Sequence, residues 1–286
     1  MNSIAATLLM AAAAPATPVG SPVPPAVAAA PAPAPDFALD GELTQGGWVR
    51  GTVPPGTVAL TLDGQALTLD REGRFIAAFD RDAGTGAVLA ATLTDGRQLT
   101  RSLAIAPRGW NIEHIDAARR PGGPTETFMA LRRPELERIN AARQVKADSD
   151  GWRQHFIWPV KGRISGRFGS QRIYRGEPGS YHSGIDITTG ASGTPFVAPA
   201  DGVVVLAAEQ PFTLEGHLLM IDHGMGLTSA FLHCSQLAVH EGDRVTQGQY
   251  LGRIGSTGRA TGPHLHWGMK WREARLDPLL FTGPMP

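Results

Sequence analysis

The chain has 286 residues, with 26 basic and 26 acidic side chains, nine histidines and one cysteine. A formal net charge of zero supplies no global attraction to nucleic acid, anionic membrane or polyanionic substrate. The single cysteine excludes an intrachain disulfide, a thiolate zinc knuckle and a redox cysteine pair, so any metal site must come from histidine and carboxylate.

Residues 1–35 carry no charged side chain, and 21 of them are Ala or Pro. The apolar run Ile4–Ala14 is shorter than the ~18 residues that a bilayer span needs and suits the core of an export signal. Ala14-Pro15-Ala16 could supply a cleavage site, whereas the lack of a basic residue behind Met1 counts against a signal. Pro22–Pro35 reads as an extended, polyproline-rich spacer. No transmembrane segment is expected, and the leader fits export.

From residue 36 to 107 the pattern becomes short alternating runs: Val58–Leu62, Gln65–Leu69, Arg74–Phe79 and Ala87–Leu93. Asp63-Gly64, Glu72-Gly73 and Asp95-Gly96 are tight-turn signals between or after them, so a small β-sandwich is expected. It carries no catalytic signature and reads as a spacer or packing module, the alternative being a docking or substrate-positioning domain. Residues 108–151 read as a helical connector. Phe128, Leu131, Leu136, Ile139 and Ala142 recur at helical spacing, and Pro134 is expected to split the helix in two.

The chemistry concentrates in residues 152–286, where seven of the nine histidines lie beyond residue 180. This clustering suggests a site of imidazole and carboxylate, with zinc as the default ion. His264 and His266 share one face if Leu265–Lys270 is a strand, about 7 Å apart. Both could bind one ion, or one the ion and the other the substrate. His182 and Asp186 are four apart in a segment whose glycine and β-branched residues disfavour a helix. A straight strand would hold them about 13 Å apart, so a shared ion requires a kink or bulge near Gly184.

Several motifs in chain order resemble the lysostaphin-type (LytM-like) zinc metalloendopeptidases that act on peptidoglycan. They are Ser165-Gly-Arg-Phe-Gly169, His182-x-x-x-Asp186, Ala198-Pro-Ala-Asp-Gly-Val-Val204, Ile221-Asp-His-Gly-Met-Gly226, Gly242–Gln249 and His264-Leu-His266. The resemblance implies a mainly β protein whose C-terminal antiparallel β domain is a metallopeptidase of lysostaphin type. It implies one Zn2+ per chain on His182, Asp186 and His266, with His233 and His264 as catalytic histidines. It also implies peptidoglycan as the partner, with no nucleic acid, and leaves an envelope protein partner open. Phe231-Leu-His233-Cys234 departs from the family's usual Tyr-x-His-Leu. Cys234 is expected to face the packing. His223 reads as a turn residue, His217 and His240 as surface positions, and Arg163, Arg167, Arg172 and Arg175 as a solvated rim or a carboxylate attractant. The competing reading is a non-catalytic LytM-like module that binds the wall or regulates a hydrolase.

Overall fold

The computed structural model describes residues 36–118 and 125–285. The expected leader and Ala/Pro spacer lie outside the described residues. Seven strands come first: β1 (Ala38–Glu42), β2 (Trp48–Thr52), β3 (Thr57–Leu62), β4 (Gln65–Leu67), β5 (Arg74–Ala78), β6 (Gly86–Leu93) and β7 (Gln98–Ala104). They form two antiparallel sheets, β1-β2-β5 and β4-β3-β6-β7. The Asp63-Gly64 turn joins β3 to β4 with both residues at positive φ, 48° and 80°, the geometry that Asp-Gly supplies most cheaply. Alternate residues of β6 are buried, with Leu89 and Ala91 in the same core as Val49, Phe75 and Ile76 of the other sheet.

The connector differs from its sequence reading in two ways. It contains a strand, β8 (Ile112–Ile115), which pairs in parallel with β10 (Gln171–Tyr174), and β10 in turn pairs with β11 (Glu177–Pro178); β9 (Arg163–Gly166) precedes them. Its helix α1 (Glu126–Gln144) is continuous through Pro134. Proline removes one hydrogen bond and crowds the preceding turn, but anchors lie on both sides. Thr125 caps the N-terminus by accepting from the Phe128 N–H, and Arg132 and Glu135 bind the segment at Thr213 and Glu215. Ile139 and Ala142 pack on Leu206, Phe212, Leu218 and Met220.

The remaining elements are β12 (Gly184–Thr188), β13 (Pro195–Val197), β14 (Gly202–Ala207), β15 (His217–Asp222), β16 (Leu227–Leu237), β17 (Arg244–Val245), β18 (Tyr250–Ile254), β19 (Leu265–Trp271), β20 (Ala274–Leu276) and helix α2 (Leu279–Thr282). With β9 they build one sheet whose main path runs β17-β14-β15-β16-β19-β12-β9. This is the expected antiparallel β architecture. A single apolar cluster extends from Phe37 through Trp267 to Phe281. Polar ties follow the same route: Asp277, almost fully buried, accepts from Arg108 at 2.8 Å, and the Trp48 indole donates to the Leu280 carbonyl at 2.9 Å. Among the described residues no helix is long and apolar enough to cross a membrane.

His223 is a fully buried member of this core. Its Nδ1 lies 2.7 Å from the Asp201 carbonyl, and its Nε2 lies 2.8 Å from the Ser229 hydroxyl, which also accepts from the Trp267 indole. Burial pushes its pKa down to about 4. The unfolded imidazole takes up a proton below its ordinary value near 6.5, while the folded one stays neutral until about 4. The stability from neutral His223 is therefore complete above that ordinary value and is lost as pH falls through the window. The loss amounts to roughly 3 kcal/mol. Urea denaturation between pH 7.5 and 4.5 should show this decline in the wild type and a flatter profile in His223→Gln. Equal slopes would exclude His223 as the cause.

Candidate metal centre and active site

The site lies where three strands meet. In β12 against β19, Asp186 is directly opposite His266, and Leu232 of β16 faces His266 from the other side. His182 precedes β12 in a loop, outside the straight strand, so the chain bends to bring it back over Asp186. Its ring Nε2 lies 3.1 Å from Asp186 Oδ1 and 3.1 Å from His266 Nδ1, and His266 Nδ1 is 2.9 Å from the same carboxylate oxygen. The bend that the spacing demands is present. Gly184 makes it sterically feasible: a Cβ there would lie 2.4 Å from the Trp267 carbonyl oxygen and 2.9 Å from His266 Nε2. Gly166 of β9 serves the same end, since its Cβ would meet Asp186 Oδ2 at 2.3 Å.

Three ligand atoms converge here: His182 Nε2, Asp186 Oδ1 and His266 Nδ1. Two facing imidazole nitrogens with a carboxylate oxygen between them satisfy one another poorly by hydrogen bonding alone. They suit a shared cation better. Zinc with bonds of about 2.0–2.1 Å has tetrahedral edges of about 3.3 Å, close to the observed separations. The donor set thus fits zinc. The His182 Nδ1 lies 3.2 Å from the Arg167 carbonyl, a contact that orients the ring with Nε2 toward Asp186 and His266.

His233 and His264 complete the cluster, their rings 4.9 Å apart. His264 Nδ1 lies 2.8 Å from the Gly262 carbonyl, and His233 Nδ1 lies 2.9 Å from the Thr257 carbonyl. Each therefore donates through Nδ1 and keeps a lone pair on Nε2. His264 Nε2 is 3.7 Å from Asp186 Oδ1, at the margin of the ligand group. His233 has φ of 64°, a left-handed conformation unusual for histidine, and its N–H donates to the Glu215 carbonyl at 2.8 Å.

The electrostatics differ across the group. Burial pushes the Asp186 carboxyl up, but hydrogen bonds from His182 and His266 outweigh it and hold the group well below the usual carboxylate range. His182 is desolvated too, yet Asp186 raises its pKa. Burial dominates at His266 and His233 and lowers both. His233 is thereby kept neutral, the form that can accept a proton.

The other sequence candidates separate cleanly. Cys234 is fully buried, and burial pushes its thiol up to about 12, leaving it a small apolar filler. His217 binds the Ala208 carbonyl and His240 is an exposed turn residue, neither belonging to the cluster. Arg172 and Arg175 are paired to Glu113 and Asp116, so they are not free carboxylate attractants. Arg167 contributes its backbone carbonyl. The supporting carbonyls of Arg167, Thr257 and Gly262 escape sequence reading because any residue type can supply them.

The Gly184→Ala variant should therefore lose about 1–3 kcal/mol of stability, as overpacked cores do, and bind metal more weakly. Thermal denaturation with and without added zinc checks both effects. An unchanged melting temperature would refute the steric argument.

Residues 180–278 match the model of peptidase family M23. The chain is 36% identical over 134 residues to peptidoglycan DD-endopeptidase ShyA of Vibrio cholerae, covering 45% of this chain and 30% of ShyA. It is 36% identical over 128 residues to DD-carboxypeptidase/endopeptidase Mpg of Neisseria meningitidis, covering 43% of this chain and 28% of Mpg. The matches thus span less than a third of either relative. A peptidase M23 crystal structure from Pseudomonas aeruginosa aligns with a TM-score of 0.62 at 25% identity, covering 85% of this chain and 95% of that one. Residues 180–278 form a peptidase M23 domain.

Proposed function

We propose that the protein is a zinc-dependent endopeptidase that hydrolyses peptide bonds in the stem peptides or cross-links of peptidoglycan and works in the periplasm or cell envelope. The observation that carries this reading is the convergence of His182 Nε2, Asp186 Oδ1 and His266 Nδ1 beside two further histidines with free Nε2 atoms. The name of ShyA, a peptidoglycan DD-endopeptidase, supports the substrate class.

His182, Asp186 and His266 would hold the zinc. The chemistry zinc supplies when bound is polarisation of a carbonyl and a lowered pKa for a coordinated water. The chain's own contribution is proton transfer and orientation. His233 and His264 accept a proton at Nε2 from the attacking water and return it to the departing amine, while the carbonyls at Nδ1 fix ring orientation and tautomer. His233 is suited to the basic role because burial keeps it neutral. Asp186, held ionised, would bind through Oδ1 and balance part of the ion's charge.

Digestion of purified peptidoglycan with and without chelator, paired with elemental analysis of the protein, tests the reading. One zinc per chain and chelator-sensitive release of peptide fragments are expected. Zinc without hydrolysis would favour the non-catalytic module, and absence of zinc would remove the metal site. His182→Ala, Asp186→Ala and His266→Ala should lose the metal. His233→Ala and His264→Ala should retain it while kcat falls by about 10²–10⁴-fold, the usual scale for general acid–base groups. Full activity in the second pair would contradict their roles.

A further inference from the structure

Helix α1 lies outside the matched segment, yet it walls a cavity of about 140 Å3 that reaches Ser183 and His266. One water needs roughly 10–15 Å3 of such space, so the cavity could receive part of a substrate. Its floor is apolar, built from Leu218, Met220 and Leu232 among others, while its rim carries Arg143 of α1, Lys270 of β19 and Arg275 of β20.

The neighbouring acids are largely committed. Glu215 also lines the cavity, but both its oxygens are held by the Arg132 guanidinium at 2.6 and 2.7 Å. Glu273 pairs with Lys270 at 3.1 Å and projects into solvent, its side chain 93% exposed. Among the described residues neither Arg143 nor Arg275 makes an ion pair. Arg275 is nonetheless well mounted: its backbone N–H donates to Asp80 at 2.8 Å, and its guanidinium lies 5.4 Å from the centre of the Tyr181 ring, next to His182. Two guanidiniums without an ion-pair partner among the described residues, over an apolar floor, suit a carboxylate carried on a short aliphatic stem.

We propose that this cavity is a carboxylate-binding subsite, in which Arg143 and Arg275 hold a free carboxylate of the peptide whose scissile bond lies at the metal centre. The inference rests on the endopeptidase reading for cleavage, though not for binding. Arg143 is then a specificity determinant supplied by the connector helix.

The test uses the full-length, zinc-loaded protein with two probes: a cross-linked stem-peptide dimer with free carboxylates, and the same dimer with those groups amidated. Calorimetric titration reads binding, and fragment release reads turnover. The wild type should bind the acid about tenfold more tightly than the amide, the scale of one charged hydrogen-bonding contact. Arg143→Gln and Arg275→Gln should each erase most of that preference, leave affinity for the amide unmoved, and lower kcat/KM for the acid mainly through KM. Arg143→Lys should recover part of it. Zinc content and melting temperature, followed in parallel, separate this from misfolding. Failure of the wild type to discriminate, including no measurable binding of either peptide, overturns the subsite, as does full discrimination in both glutamine variants. Discrimination in binding without cleavage of either peptide would support the subsite and sink the endopeptidase reading.

Discussion

One carboxylate oxygen organises the site: Asp186 Oδ1, 3.1 Å from His182 Nε2 and 2.9 Å from His266 Nδ1. Gathering a carboxylate and two imidazoles in a partly buried place costs solvation, and hydrogen bonds or a shared cation must return it. The sheet sets the meeting through register. Asp186 opposes His266 because β12 pairs with β19, and a shift of one residue would send the carboxylate to the other face. Gly184 and Gly166 then clear the volume that side chains would fill. These glycines are needed for close approach, not for unusual dihedral angles.

His233 shows a second way of aiming a side chain. Burial alternates along β16 until His233 and Cys234, which are consecutive and both buried. The positive φ at His233 and the shifted register with β15 mark a bulge there. A left-handed residue other than glycine costs about 1–2 kcal/mol. The compensation is visible in two hydrogen bonds, from the His233 N–H to Glu215 and between its Nδ1 and Thr257. Since Arg132 of α1 grips the Glu215 side chain, the helix is tied through one residue to the backbone that carries His233.

Much of this was legible in the sequence, for identifiable reasons. Asp-Gly turns prescribe positive φ, period-two alternation prescribes sheet faces, and the scarcity of thiols left only histidine and carboxylate as ligands. The His182–Asp186 spacing announced that the backbone must bend. Other features had no local signature. Parallel pairing of β8 with β10 joins segments more than fifty residues apart, and a four-residue run such as Ile112–Ile115 carries too little pattern to announce it. Pro134 misled because its local cost is real, whereas the ion pairs and hydrogen bonds that override it come from Thr213 and Glu215, distant in sequence. Arg143 was unreadable as a site residue because only the docked helix brings it to the cavity.

The first seven strands carry no catalytic signature of their own, yet they touch the loop that bears His182. After β5 the chain turns through Asp80 and Arg81, and this turn meets the metallopeptidase segment at several points. Arg81 is buried and donates to the Gly169 carbonyl at 3.2 and 3.1 Å, with its guanidinium 4.7 Å from the Tyr181 ring centre. Asp80 accepts from the Tyr181 hydroxyl and from the Arg275 N–H. Gly169 in turn donates its N–H to the His182 carbonyl at 2.9 Å. The loop bearing His182 is thus braced from the N-terminal sheets on one side and by Arg167 on the other. A side chain proposed as a metal ligand and placed outside a regular strand needs such external support, because no ladder of its own fixes its position. In this chain the N-terminal sheets provide it for the loop that bears His182.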